Sequence, residues 1–203
     1  MAGSFYVRYG KRIFDLIFGF LGFVLISPLL LMISLWILIG EGRPILFLHE
    51  RMGKNFQKFN LIKFRTMIKN ADRMGPQVTG GNDARISNLG QHLRRLKLDE
   101  LPQLINVLKG EMSIVGPRPE VEQYVDQFKP EYQKVLKIKP GITDFAAIEF
   151  RKEQEILKEY EDINTAYITK ILPRKLELYQ IYMREISLLT DLKIIFRTLR
   201  SIL

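Results

Sequence analysis

Residues 18–36 read FGFLGFVLISPLLLMISLW, and the meaning of this stretch decides the architecture of the whole chain. It is the middle of an apolar run from 13 to 39 whose only ionisable residue is Asp15. Roughly 20 apolar residues in a helix cross a bilayer core, so the run is long enough. It is too long for the core of a signal peptide and has no convincing cleavage site. At its centre stand Ser27 and Pro28. A proline within a helix removes one backbone donor and presses its ring against the carbonyl four residues back, here Val24, at a cost of roughly 3 kcal/mol.

Two readings follow. One is a single spanning helix with a mild kink. The other is a sharp bend at Ser27-Pro28 that leaves two arms of about a dozen residues, each reaching roughly 18–20 Å, about one leaflet with its headgroups. The flanks do not favour crossing: Arg8, Lys11 and Arg12 precede the run, and Arg43, Arg51, Lys54 and Lys58 follow it. Basic residues prefer the cytoplasmic side, so neither end is driven outward. In the bent reading Ser27 hydrogen-bonds a backbone group freed by the proline, and Asp15 lies at the interface near Lys11 and Arg12.

The 203 residues suffice for one domain and an appendage, read as a membrane anchor over 1–40 and a folded domain over 41–203. With 31 Lys+Arg against 22 Asp+Glu, the net charge of +9 suits phosphate-bearing partners. There is no cysteine, and His49 and His92 lack metal-site spacing, which excludes disulfides, thiolate catalysis and the common zinc sets. Any metal is expected to be hard and oxygen-bound.

Beyond the run, RPILFLHERMGKNFQKFNLIKFRTM alternates apolar and polar residues about Gly53-Lys54-Asn55 and predicts a β-hairpin. Residues 69–88 are polar, carry Gly75-Pro76 and Gly80-Gly81-Asn82-Asp83, and read as a loop or a helix followed by a loop. In LRRLKLDELPQLINVLKG, Leu98, Leu101, Leu104, Ile105 and Leu108 share one helical face, with Gly110 as a stop. Residues 121–137 and 152–183 are predicted helical, interrupted by Lys139-Pro140-Gly141 and by Pro173. The C-terminal LLTDLKIIFRTLRSIL aligns Leu192, Ile195, Leu199 and Ile202, which suits either a bilayer surface or a protein core. The fold class is therefore α+β, predominantly helical, with a small β-hairpin and amphipathic helices.

Chemistry is suggested first by Asp99-Glu100, placed where the apolar helix begins with Pro102 in its first turn. A helix start collects anions, and Arg94, Arg95 and Lys97 stand just before it. Two adjacent carboxylates in a helix point about 100° apart; they can flank a diphosphate, one as nucleophile and one holding a divalent metal. The plainer reading is an N-capping Asp99 followed by a dipole-favoured Glu100. Ten positions on, SIVGPRPE fixes Arg118 between Pro117 and Pro119, a presentation that suits a phosphate or merely a rigid connector.

The ordered series KRIFD (11–15), ISP (26–28), KFRTM (63–67), DARIS (83–87), LDELPQLINVLKGEMSIVGPRP (98–119) and KPGIT (139–143) resembles the bacterial sugar transferase family, the small monotopic polyprenyl-phosphate phosphoglycosyl transferases. The likeness extends to the ending YMREISLLTDLKIIFRTL. It implies a two-step transfer of sugar 1-phosphate from a UDP-sugar to undecaprenyl phosphate, with release of UMP, at the cytoplasmic face of the bacterial inner membrane. By the same resemblance Asp99 matches the nucleophile that becomes phosphosugar-linked, and Glu100 its partner associated with Mg²⁺. Arg94, Arg118 and Arg151 match substrate-binding arginines, joined by Lys63 and Arg65 of KFRTM. Ser27 and Pro28 match the break of a re-entrant helix that dips into one leaflet. Where many members continue KPGIT with a Gly-Trp-Ala-Gln-Val-Asn-Gly-Arg run, this chain has DFAAIEFR over 144–151, so Arg151 is kept while most of its surroundings are not.

A different class of protein, a basic membrane-tethered adaptor without catalysis, shares the charge and the apolar run but predicts no UMP production. No nucleic-acid-binding motif and no Walker P-loop is present. Which UDP-sugar, which glycan and which assembly state, a homodimer included, are not written in these motifs.

Overall fold

Pro28 does not end the helix that contains it. In the computed structural model, which describes residues 5–71, 74 and 83–202, α1 (Lys11–Gly40) runs through Pro28 after a π-helical turn at Tyr6–Gly10. The carbonyl that proline cannot serve is satisfied locally, because Ser27 Oγ donates to Val24 O at 2.8 Å. The expected break is thus a gap in the backbone ladder, closed by a neighbouring hydroxyl, rather than an end of the helix.

Thirty residues make α1 roughly 45 Å long. One stripe faces the rest of the protein: Asp15, Gly19, Ile33 and Ile37 are buried, with Gly22, Ile26 and Leu30 half-buried between them. The steps of three and four residues keep this stripe on one side of the helix. Most of the remaining circumference is apolar and bare, with Leu25 81% and Ile39 84% exposed.

Both ends of α1 are tied to the same body of protein. Near its start, Asp15 Oδ1 accepts from Ser113 Oγ and Ile114 N, each at 2.9 Å. Asp15 is therefore a buried tether, 2% exposed, with the Lys11 charge still acting on it. A lone carboxylate on an apolar helix is cheapest where a hydroxyl and a backbone N–H meet it. Arg12 instead donates to Val107 O at 2.7 Å and Leu108 O at 2.9 Å. At the far end Arg65 Nη2 donates to Glu41 O and Gly42 O, both at 3.0 Å, and Ile33 and Ile37 pack with Phe64 and Leu93.

The hairpin forms as predicted. β1 (Leu46–Met52) and β2 (Lys58–Phe64) are antiparallel, with Leu46 opposite Phe64 and Met52 opposite Lys58. Of the polar segment, Gly75, Pro76, Gly80, Gly81 and Asn82 lie outside the described residues. It leads to α2 (Asn88–Arg95), capped by Ser87 Oγ, which accepts from Gly90 N at 3.0 Å.

The helix expected at Asp99 begins later. Leu98–Glu100 is a 3₁₀ turn, Pro102 is the cap, and α3 (Gln103–Lys109) follows, stopping at Gly110 with φ 86°. Its buried side is Gln103, Asn106 and Val107, whereas Leu104, Ile105 and Leu108 of the predicted face are half-buried. The reason lies in two neighbours. Leu104 and Leu108 approach α1 at Gly22 and Gly19, where a Cβ would sit 3.6 and 3.5 Å from them. On the other side the fully buried Asn106 extends the edge of β2, accepting from Ile62 N at 3.0 Å and donating to Asn60 O at 2.8 Å.

Next come β3 (Ser113–Val115), α4 (Glu122–Gln127), α5 (Lys129–Val135), β4 (Gly141–Thr143), α6 (Phe145–Glu149), α7 (Glu153–Leu157), α8 (Ile163–Ala166), α9 (Leu172–Glu185) and α10 (Leu188–Ile202). The parallel pair β3–β4 has only three residues a side, too short to leave a period in the sequence. The helical expectations over 121–137 and 152–183 resolve into shorter pieces, and Pro173 opens α9 instead of interrupting it. Val125, Tyr132, Leu172 and Tyr179 lie at the centre of the core these helices share.

In α10 the predicted stripe divides. Leu192 and Leu199 are exposed beside Leu188, Leu189 and Phe196, while Ile195 is half-buried; the Ile202 side chain lies outside the described part. Inward stand Ile194 and Asp191, both fully buried. Asp191 joins three elements: Oδ2 accepts from Tyr6 OH and Lys11 Nζ, each at 2.6 Å, and Oδ1 accepts from Tyr182 OH at 2.8 Å. Removing one partner of a buried pair leaves the other uncompensated. Asp191→Ala should therefore lower stability by about 3–5 kcal/mol; a loss in detergent-phase unfolding no larger than that of an exposed substitution would show that this joint is not structural.

Candidate active site

α2 and the following 3₁₀ turn are joined by Lys97 at φ 57°, a left-handed conformation that costs a non-glycine residue about 1–2 kcal/mol. This reversal turns Asp99 and Glu100 back toward Arg94. All seven residues expected at the site line one cavity of about 770 Å³: Lys63, Arg65, Arg94, Asp99, Glu100, Arg118 and Arg151. Arg151 is exposed.

The two carboxylates are treated differently. Glu100 is gripped: Oε1 accepts from Lys63 Nζ at 2.9 Å and from Arg118 Nη2, and Oε2 accepts from Arg118 Nη1 at 3.0 Å. Burial alone would raise its pKa, but Arg118 and Lys63 outweigh burial and hold it well below the usual carboxylate range. Asp99 has no hydrogen bond or ion pair to its carboxylate among the described residues, although only 6% of the residue is exposed. Burial first and then the charge on Glu100 raise its pKa, against the pull of Lys63, Arg94 and Lys97. Asp99 is thus the uncommitted oxygen in a cationic wall, and it does not cap a helix.

Supporting residues place the cations. Arg94 Nε donates to Thr66 Oγ1 at 2.8 Å, a role for Thr66 that its place in KFRTM does not reveal. Arg118 is held through the backbone. Gly116 N donates to Thr143 O at 3.0 Å and Gly141 N to Pro117 O at 2.9 Å. A Cβ on Gly141 would sit 2.1 Å from Gly116 N, so GPRP and KPGIT fit together only as glycine against glycine. Then Asp144 Oδ2 accepts from Arg118 N at 2.9 Å while Oδ1 accepts from Ala147 N at 2.5 Å, capping α6. The first residue of the divergent DFAAIEFR segment therefore positions the central arginine, a task readable beforehand only as an Asp preceding a helix. A second polar group, Tyr167 OH on Glu120 with Lys175 Nζ reaching Tyr167 OH at 3.2 Å and Glu153 at 2.5 Å, also lines the cavity. Its members are scattered over more than 50 positions, and no spacing announces them.

Among the described residues no three His, Cys, Asp or Glu side chains gather as a metal site. Magnesium is commonly held by one or two carboxylates together with substrate phosphates. Glu100 fits an ion shared with a diphosphate, and does not fit a resident one.

The chain matches the model of the bacterial sugar transferase family over residues 6–203, and it belongs to that family. It is 36% identical, over 95% of its length, to UDP-N-acetylgalactosamine-undecaprenyl-phosphate N-acetylgalactosaminephosphotransferase of Aeromonas hydrophila, of which it spans 43%. To UDP-glucose:undecaprenyl-phosphate glucose-1-phosphate transferase of Escherichia coli it is 37% identical over 93% of its length, spanning 39% of that protein. To the exopolysaccharide production protein ExoY of Sinorhizobium fredii it is 33% identical over 95% of its length, spanning 84%. The chain thus covers less than half of the first two relatives and most of the third.

Burial pushes the Asp144 carboxyl up to about 6, against the lowering effect of the two N–H groups it accepts from. A raised folded-state pKa means that the protonated form is favoured in the fold. The corresponding stability is full below the ordinary value of 3.8 and is lost as pH rises through about 6. Asp144→Asn cannot titrate. The stability of the natural protein relative to this variant should fall by on the order of 3 kcal/mol between about pH 3.5 and about pH 7 and then stay level; a difference that is flat across that window would remove Asp144 as a buried titrating group.

Proposed function

We propose that the protein is a phosphoglycosyl transferase that carries sugar 1-phosphate from a UDP-sugar to undecaprenyl phosphate. The observation that carries the proposal is the inequality of the two carboxylates: Glu100 is engaged on both oxygens by Lys63 and Arg118, and Asp99 has no such partner among the described residues in the same cavity. The names of the relatives, two of which state transfer of a sugar phosphate to undecaprenyl phosphate, support the same reading.

In the first step an Asp99 oxygen attacks the sugar-bearing β-phosphorus, and the bond from that phosphorus to the bridging oxygen breaks. UMP leaves with the electron pair. In the second step an oxygen of the acceptor phosphate attacks the same phosphorus, the bond to Asp99 breaks, and the carboxylate is restored with the diphosphate-linked sugar as product. Lys63, Arg94, Arg118 and Arg151 reduce the repulsion between an anionic nucleophile and an anionic diphosphate. Mg²⁺ would be held by Glu100, whose Oε2 accepts only one hydrogen bond among the described residues, together with the diphosphate, and would neutralise charge on the departing oxygen.

The membrane part of the proposal places α1 in one leaflet of the bacterial cytoplasmic membrane, as an anchor over 1–40, with 41–203 on the cytoplasmic face and α10 lying in the interface. Its support is that Asp15 and Arg12 near one end and Glu41-Gly42 at the other all bind the same body of protein, while the outer sides of α1 and α10 are apolar and bare. A bilayer between those two ends would separate partners that touch. Arg8→Cys and Arg43→Cys, each alone in a chain with no natural cysteine, should both react with an impermeant maleimide from the cytoplasmic side; labelling from opposite sides would refute the one-leaflet placement.

Asp99→Asn should reduce UMP release by about 10⁴-fold or more without loss of folding. Natural enzyme held with donor and no acceptor should carry a phosphosugar mass on the peptide containing Asp99. Substantial turnover by the variant, or an adduct on another residue, would dismiss Asp99 as nucleophile. Binding of anionic lipid with no UMP from any donor would favour the adaptor reading instead.

A further inference from the structure

One cation in the cavity is only half used. Arg65 is 6% exposed, and its Nη2 is spent on Glu41 O and Gly42 O with the Glu41 carboxylate 3.6 Å away, yet Nε and Nη1 have no hydrogen-bond partner among the described residues. Buried N–H groups of a charged side chain rarely stay unpaired, since each forfeits its hydration without a replacement. The remaining partner is therefore an anion that arrives with a substrate. Two anions meet in the proposed reaction, the donor diphosphate and the acceptor phosphate, and the position of Arg65 distinguishes them.

We infer that Arg65 binds the phosphate monoester of the lipid acceptor. This rests on the reading of the chain as a two-step transferase. Three observations carry it. Arg65 clamps the carbonyls where α1 ends, so its guanidinium stands where the apolar helix gives way to polar chain, which the proposed one-leaflet placement sets at the depth of a lipid headgroup. Its neighbours divide the labour: Lys63 is bound to Glu100, Phe64 packs beneath Ile33 and Ile37 of α1, and Thr66 holds Arg94. Finally, Pro44, Phe47, Leu101 and Leu104 give the cavity an apolar wall, and Leu104 lies against α1 at Gly22. An isoprenoid chain can follow that wall from the lipid while its phosphate meets the two unpartnered nitrogens, in the forked geometry that arginine offers.

In a two-step shuttle, kcat/KM for the donor reports the first half-reaction and kcat/KM for the acceptor the second. Arg65→Met should lower kcat/KM for undecaprenyl phosphate by about ten- to hundredfold, and Arg65→Lys by about three- to tenfold, because it keeps the charge and loses the fork. The donor value should move by less than about threefold. Equal losses on both substrates would make Arg65 a clamp for α1 or a donor ligand, and a loss confined to the donor would make it a donor ligand; either result overturns the inference. Should Arg65→Met fail to fold, the same split in Arg65→Lys decides. Phosphatidylglycerol vesicles provide the second arm: competition with the acceptor in the natural protein that vanishes in Arg65→Lys would mean that any anionic headgroup is bound, and would also overturn it. Failure of the shuttle itself is visible without a variant, as intersecting rather than parallel double-reciprocal lines for the natural protein.

Discussion

The site depends on one half-buried ion cluster. Glu100 draws Lys63 from β2 and Arg118 from the segment after β3 onto a single carboxylate, so hairpin, 3₁₀ turn and parallel pair converge at one point. Attraction between buried charges offsets their desolvation only when geometry is good and the remaining valences are met. Here the fork of Arg118 meets both oxygens, and its backbone N–H is fixed in turn by Asp144. With Glu100 neutralised, the adjacent Asp99 can be buried without a partner of its own. One carboxylate is engaged by two cations, and its neighbour has no such partner among the described residues.

The apolar helix is joined to this cluster by side chains that look misplaced on it. Asp15 reaches β3, Arg12 reaches the end of α3, and Gly19 and Gly22 let α3 come close. α3 in turn carries Asn106, which supports the strand that bears Lys63. A displacement of α1 would thus be felt at Glu100 through two packed elements, which ties the position of the site to the depth of the helix.

The sequence was most legible where a motif is local. The hairpin about Gly53, the stop at Gly110 and the gathering of the seven expected residues around one cavity could be read because each rests on a turn residue, an alternation or a family pattern. It was least legible where contacts are distant. β3 and β4 are three residues each and owe their pairing to Gly116 facing Gly141, 25 positions apart. The tether at Asp15 was hidden because its partners, Ser113 and Ile114, are nearly a hundred residues away. In α10 apolar residues surround much of the helix, so a period alone could not say which of them face protein.

The late start of α3 changes the electrostatic account of the site. A helix beginning at Asp99 would have brought a dipole and free N–H groups to that carboxylate; the observed helix begins at Gln103 and has seven residues, and the macrodipole acts only within the first turn. The field at Asp99 therefore comes from discrete cations: Lys63, Arg94 and Lys97. Each has its own restraint: Lys63 the Glu100 carboxylate, Arg94 the Thr66 hydroxyl, and Lys97 the left-handed turn. Positive charge built from restrained side chains can be released or redirected when a diphosphate enters, which a helix terminus cannot do. For the proposed two-step transfer, in which two different anions meet one phosphorus in succession, such cations serve better than a fixed dipole.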